Sequence, residues 1–374
     1  LLFSLILFFD LKLSFLLLLL VVLYTKNFFI YSSAILENLN IFLFILVLMS
    51  LFILSNIFLS ELNFNLKILS FFLVMMSFFF FFSINFFYIY LFFEFSLFPI
   101  MVMILGYGYQ IEKINSSYYL LFFTLIFSMP FFFFFFNLDL NINLMFFNLF
   151  FNWEIILILS LMFMLKFPVY FLHFWLPKAH VEAPTSASML LAGLLLKLGT
   201  GGFLRLMKIF VFFNLNFYLL LSFIGMIFSS FICIFQSDLK SLAAYSSINH
   251  MSLVLLSLIL VNSFSIINSV LVMLSHGFIS VLMFYYIGEF YHFSQTRLVY
   301  YYSSLFSFSV SFAVFITFVW LYNSGVPLSL TFFAEFNIFL SVLNFNIFYW
   351  FLLFLYFFLT FYYCLFFISL NFLG

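Results

Sequence analysis

Four ionisable side chains stand in runs apolar enough to lie inside a bilayer: Glu94 in IYLFFEFSLFPIM, Lys166 in LMFMLKFPVY, Lys197 in LLAGLLLKLGTGG and Glu335 in LTFFAEFNIFL. On insertion scales each such charge costs about 2.5–3.5 kcal/mol, so four left bare would cost about 10–14 kcal/mol, as much as the net stability of a whole domain. They must therefore be paired, hydrated or neutral, and groups in that condition can exchange protons. Two of each sign suit an ion or proton pathway; the alternative is a set of static salt bridges that only fix helix packing. His250, in YSSINHMSLVL, and His276, in VMLSHGFISVL, lie in the same kind of surroundings. An imidazole titrates closest to physiological pH of any side chain, so each can pass a proton, or else serve as a hydrogen-bonded packing residue. His173 follows Lys166 by seven residues, one face of a continuous helix, but Pro168 intervenes. His180 and His292 read as loop residues.

The elements that must position these groups follow from composition. The chain has 374 residues, 68% hydrophobic and 6% charged, with no net charge, which leaves too few polar residues to coat a water-soluble domain. It reads as an all-α, multi-pass membrane protein in contact with the lipid bilayer. A spanning helix needs about 20 apolar residues, and runs of that length recur about twelve times. They are placed near 39–60, 68–84, 85–106, 117–137, 153–173, 186–207, 214–235, 240–261 and 264–290, then over 299–344 and 346–370, with a less regular stretch before Tyr31. Two spans should break, one after Lys166 at Pro168 and one at Gly325–Pro327. Broken helices at membrane depth occur where the freed backbone is buried in protein or lines a hydrated cavity. With alternating spans, Lys67, Lys113, Lys178, Lys240 and Arg297 fall on one side and Arg205 and Lys208 on the other, an asymmetry that fits the positive-inside rule. These, with Glu61, Glu112, Asp139, Glu182 and Asp238, are expected at loops or interfaces, and Glu154 and Glu289 at span ends. The 74 phenylalanines, with abundant Leu, Ile, Asn and Tyr, are residues of A- and T-rich codons and suit a small organelle genome. Cys233 and Cys364 stand alone, so neither a metal site nor a disulfide is indicated. No phosphate loop, dinucleotide fingerprint or cysteine cluster is visible, and nothing points to nucleic acid. If the chain serves a redox enzyme, it is the part that moves protons.

The stretch LKFPVYFLHFWLPKAHVEAPTSASMLLAGLLLKLGTGGFLRL resembles the hallmark segment of the subunit 4 family of NADH dehydrogenase, mitochondrially encoded proton-pumping subunits of respiratory complex I. QSDLKSLAAYSSINHMSLV, LSHGFISVLMF and YLFFEFSLFPIMVMILGYGYQIEKIN are similar to the same family, so the resemblance covers most of 85–345. It implies an antiporter-like fold with two inverted five-helix repeats, each holding a broken helix. The first repeat would cover about 85–207 and the second about 214–345, with N-terminal spans at about 1–84 and a C-terminal span at about 346–370. Glu94 and Lys166 would be the charged pair of the first repeat, Lys197 the lysine on the central axis, His250 a relay histidine and Glu335 the terminal residue of the second; sibling subunits generally carry lysine at that last position. His276 is placed in the pathway on its surroundings alone. The resemblance further implies a subunit of an H+-translocating NADH:ubiquinone reductase in the mitochondrial inner membrane, assembled with other membrane-arm subunits. NAD, FMN, iron–sulfur clusters and ubiquinone would sit on those partners and none on this chain, whose own substrates are protons and internal water. A component of a cation/proton antiporter is the rival reading. The departures lie at the ends, where a fragment or a reduced lineage is expected, and at the second break, which has the single Pro327.

Overall fold

The computed structural model describes residues 53, 57, 61–83, 85–137, 153–210, 216–260, 263–303, 309–327, 329–343 and 347–372. The stretch before Tyr31, nearly all of the expected span at 39–60, and Asp139 lie outside them. A bilayer core offers backbone groups no water, so apolar runs are stable there as helices whose hydrogen bonds are internal. Helices make up nearly everything described, and an isolated antiparallel bridge joins Asp238 and Leu298.

The order of helices follows the polar punctuation. Helix α1 runs Phe64–Phe82, α2 Phe86–Phe95, α3 Leu97–Tyr107 and α4 Lys113–Asn137. α2 and α3 form one span with an irregularity at Ser96, because Pro99 has no N–H to offer the preceding turn. Helix α5, Trp153–Lys166, stops at Lys166 as the Pro168 reading expects. The chain then turns through Phe171, whose φ is 78°, before α6, Trp175–Glu182. Helix α7, Thr185–Leu190, runs through a π-helical turn at Leu191–Leu195 into α8, Leu196–Phe210. Then follow α9 Asn216–Ile234, α10 Leu239–Ile259 and α11 Ser263–Ser294. The second expected break is present too: α12, Val310–Asn323, ends two residues before Gly325, whose φ is 70°, and α13 resumes at Leu330–Leu343. Helix α14 covers Ile347–Phe372. Among the described residues, seven helical runs are long and apolar enough to cross a membrane; α5, α12 and α13 are apolar but shorter.

The bundle is layered by burial. The α7–α8 run is enclosed over nearly its whole length, as is α10, whereas α1 and α14 are largely exposed. α10 packs between α9 and α11, and α11 packs on α13. α8 packs on α5, and Gly199 makes that approach possible, since a Cβ there would stand 2.6 Å from the Phe167 nitrogen and 3.0 Å from the Lys166 carbonyl carbon. At one end of the bundle Lys178 lies over the Tyr119 ring, Lys240 and Arg297 approach Tyr109, and Lys113 reaches Gly108; Arg205 lies at the other, against Phe80–Ser83. That division agrees with the sidedness expected from the loops.

Overpacking a tight contact costs about 1–3 kcal/mol. Gly199→Val should therefore lower the thermal stability of the assembled subunit by about that amount, because the neighbouring atoms are backbone. Gly106→Ala, which meets nothing within 4 Å, should leave it unchanged or slightly raised. Melting and assembly assays on the two variants compare them directly; equal behaviour would show that the α5–α8 contact is loose.

Candidate functional site

Lys166 is buried at the last position of α5, and its ammonium points at the end of α2. There it donates to the carbonyl oxygen of Phe93 and, at 3.4 Å, approaches Ser96 Oγ, with the Phe93 ring 3.3 Å away. The same carbonyl also accepts the Ser96 hydroxyl at 2.7 Å, at the irregularity between α2 and α3. Glu94 is the next residue along, so the two charges occupy one locality and act on each other electrostatically. Among the described residues they form no direct ion pair. The Glu94 carboxylate is half-buried, interacts with Ser128 of α4, and has one oxygen, Oε1, enclosed without a hydrogen-bond partner. The static salt bridge considered from sequence is therefore absent at this pair.

Lys197 occupies the enclosed α7–α8 run and is fully buried. Its Nζ donates to the Ala192 carbonyl at 2.6 Å and lies 3.0 Å from His276 Nδ1. A π-helical turn widens the helix and loosens the regular ladder, and here it sits immediately before the lysine. The His276 ring lies 5.5 Å, centroid to centroid, from the His250 ring. His250 Nδ1 lies 3.4 Å from Glu335 Oε1, and its Nε2 lies 3.1 Å from Asn323 Oδ1. Lys197, His276, His250 and Glu335, from α8, α11, α10 and α13, thus form one buried line across the core.

Glu335 is held against the second helix break. A Cβ on Gly325 would stand 2.6 Å from Glu335 Oε2, so the carboxylate occupies the space that glycine leaves. Glycine is also the residue that adopts φ 70° without strain. The Ser329 and Thr331 hydroxyls, 2.7 Å apart, and the bond from Thr331 to the Tyr322 carbonyl close the remainder of the break.

Several residues lie elsewhere than their sequence neighbourhood indicates. His173 sits in the turn after α5, stacked on Tyr170 and Phe174 at 4.7 Å each, and takes no part in the line. His180, read as a loop residue, is fully buried, stacked 4.5 Å from the Phe284 ring with neither nitrogen hydrogen-bonded. Lys240 and Glu182, also read as loop groups, are buried. Lys240 donates to the Ala183 carbonyl at 2.7 Å and Arg297 to that of Val181 at 2.8 Å, so two cations cap the C-terminus of α6. The short polar segments fold back over the end of the bundle, which hydropathy along the chain cannot indicate. Asn323 was not singled out from sequence; its only signal there is its place beside the break.

Gly325→Ala should push the Glu335 carboxylate away and lengthen the 3.4 Å His250–Glu335 approach. A structure of the variant at side-chain resolution measures it. An unchanged separation would mean that the break does not position Glu335.

Residues 83–361 match the family described as NADH:quinone oxidoreductase/Mrp antiporter, TM. The chain is 57% identical over 240 residues to a Caenorhabditis elegans protein named NADH-ubiquinone oxidoreductase chain 4, covering 64% of this chain and 59% of that protein. It is 55% identical over 248 residues to the protein of the same name from Ascaris suum, covering 66% and 61%. The chain therefore spans about three fifths of the length of these relatives. Among solved structures it resembles a chain of respiratory complex I from Thermus thermophilus with bound NADH, with a TM-score of 0.80 and 21% identity over 90% of this chain and 74% of that one, a likeness of fold.

Proposed function

The chain belongs to the NADH:quinone oxidoreductase/Mrp antiporter transmembrane family, and from that premise we propose that it is the chain 4 type of proton-translocating membrane subunit in an NADH:ubiquinone oxidoreductase. The observation that carries the proposal is the buried line Lys197–His276–His250–Glu335, with the Glu94–Lys166 locality beside its first member's helix. The names of the relatives favour this reading over a cation/proton antiporter. On it, the complex lies in the mitochondrial inner membrane, this chain packs among other membrane-arm subunits, and NAD, FMN, iron–sulfur clusters and ubiquinone belong to the partners.

The chain's own residues support the following sequence of events. Electron transfer elsewhere shifts charge along the membrane arm and changes the balance between Glu94 and Lys166. Lys166 is held by a carbonyl oxygen, which accepts a hydrogen bond from an ammonium and from a neutral amine alike, so its charge can change without breaking the contact. Lys197 has the same kind of anchor in Ala192 and an imidazole as its other neighbour. A proton released by Lys197 has His276 Nδ1 at 3.0 Å to receive it, and His250 and Glu335 follow in space. The protonation states of such closely spaced groups depend on one another.

Lys197→Ala should lower quinone-linked NADH oxidation and proton pumping together while the complex still assembles. Unchanged pumping would remove Lys197 from the pathway. At the far end, Glu335→Gln keeps the shape but cannot titrate, and should depress pumping in reconstituted vesicles, whereas Glu335→Asp should retain part of it. Equal pumping by the glutamine variant and the unaltered protein would make Glu335 a packing residue.

A further inference from the structure

His250 has one nitrogen facing each of two partners, and the chemistry of the second partner decides what the first can do. Asn323, the last residue of α12, presents Oδ1 to His250 Nε2 at 3.1 Å. Its amide nitrogen is turned the other way, toward α14, where it donates to Tyr363 OH at 3.5 Å and to Cys364 Sγ at 3.8 Å. An amide oxygen only accepts, so Nε2 must carry the proton of that hydrogen bond. In a neutral imidazole the other nitrogen, Nδ1, is then a lone pair, and it faces Glu335 Oε1 at 3.4 Å. Two bare acceptors at that separation in a buried site repel, whereas one proton between them satisfies both.

We propose that Asn323 is a positioning residue for the buried line: it fixes His250 in the orientation and tautomer that makes His250 and Glu335 share one proton. The inference rests on the proton-pathway reading given above. The shared proton sits either on the carboxyl, which donates to Nδ1, or on the imidazole, whose Nδ1–H donates to the carboxylate; the two arrangements carry the same total charge. Nδ1 is buried without a hydrogen bond as it stands, with Glu335 Oε1 as its near acceptor, and a proton shared there leaves neither nitrogen for His276, whose ring lies 5.5 Å away at 42°. The line is thereby divided into a Lys197–His276 pair and a His250–Glu335 pair, and a proton crosses between them when the His250 ring leaves Asn323 and turns. Titratable groups within electrostatic reach of Glu335 include Tyr356 and Cys364, both buried. Because Asn323 ends α12 and bonds to α14, movement at the helix break would release the ring.

The test uses the assembled complex carrying Asn323→Leu, which keeps the volume but removes the acceptor, and Asn323→Asp, which keeps an acceptor oxygen at the same reach. Loss of a hydrogen bond that sets a productive geometry should lower pumping roughly tenfold in the leucine variant, with assembly intact. The aspartate variant should recover most of that loss, and in a structure of the leucine variant the His250 ring should have turned, no longer presenting Nδ1 to Glu335. A leucine variant that pumps like the unaltered chain, or one whose His250 ring has not moved, overturns the proposal. So does an assembled aspartate variant as poor as leucine. Should Lys197→Ala and Glu335→Gln also pump normally, the pathway reading itself fails; should they fail to pump while Asn323→Leu behaves normally, only the role of Asn323 is lost.

Discussion

Buried and half-buried cations in this bundle are held by main-chain carbonyl groups located where a helix ends, bends or widens. Lys166 binds the Phe93 carbonyl at the end of α2, and Lys197 binds that of Ala192 in the π-helical turn. Lys240 and Arg297 take carbonyls at the end of α6, and Arg205 takes those of Phe80, Phe81 and Ser83 at the end of α1. A helix end inside a bilayer leaves acceptors that no water can satisfy, and a lysine there leaves donors in the same position; each resolves the other's cost. The helix breaks and the buried charges are thus one feature of the molecule.

That choice of partner has a functional consequence. A lysine paired with a carboxylate in a dry site is strongly locked in its charged form, because loss of either charge leaves the other uncompensated. A lysine on a carbonyl oxygen keeps its contact in both protonation states. Lys166 and Lys197 are accordingly free to respond to charges at a distance, Glu94 in one case and the histidines in the other. The carboxylates are left with softer partners: Ser128 for Glu94, and for Glu335 an imidazole across 3.4 Å and the Gly325 backbone against which it packs.

The membrane class, both helix breaks and the burial of Lys166, Lys197, His250, His276 and Glu335 were legible in the sequence, since each rests on a local signal: an apolar run, a proline or glycine within it, or an ionisable group where insertion penalises one. Opposite charges led to the expectation that Glu94 and Lys166 approach each other across two helices; the two act on each other electrostatically, with Lys166 seated on the turn that carries Glu94. The reason lies at the α2–α3 irregularity, where the Phe93 carbonyl accepts from both Ser96 Oγ and Lys166, a partnership that no local signal in the sequence marks. The burial of His180, Glu182 and Lys240 was illegible for a related reason: their segments are polar, but they fold over the bundle end, and only tertiary placement encloses them. Asn323 carries no charge and sits beside a break, where asparagine is ordinary, so its role emerges only once α10 and α14 are seen beside it.

The central claim is that Lys197 and Glu335 act in series on one proton route, through the two histidines between them. Residues that act as a unit give non-additive losses when altered together, whereas independent sites multiply theirs. The direct measurement is a double-mutant cycle on proton pumping in reconstituted vesicles, using the mild substitutions Lys197→Arg and Glu335→Asp so that every rate stays measurable. If the line is one route, the double variant should pump at about the rate of the slower single variant; a rate equal to the product of the two separate losses would contradict it.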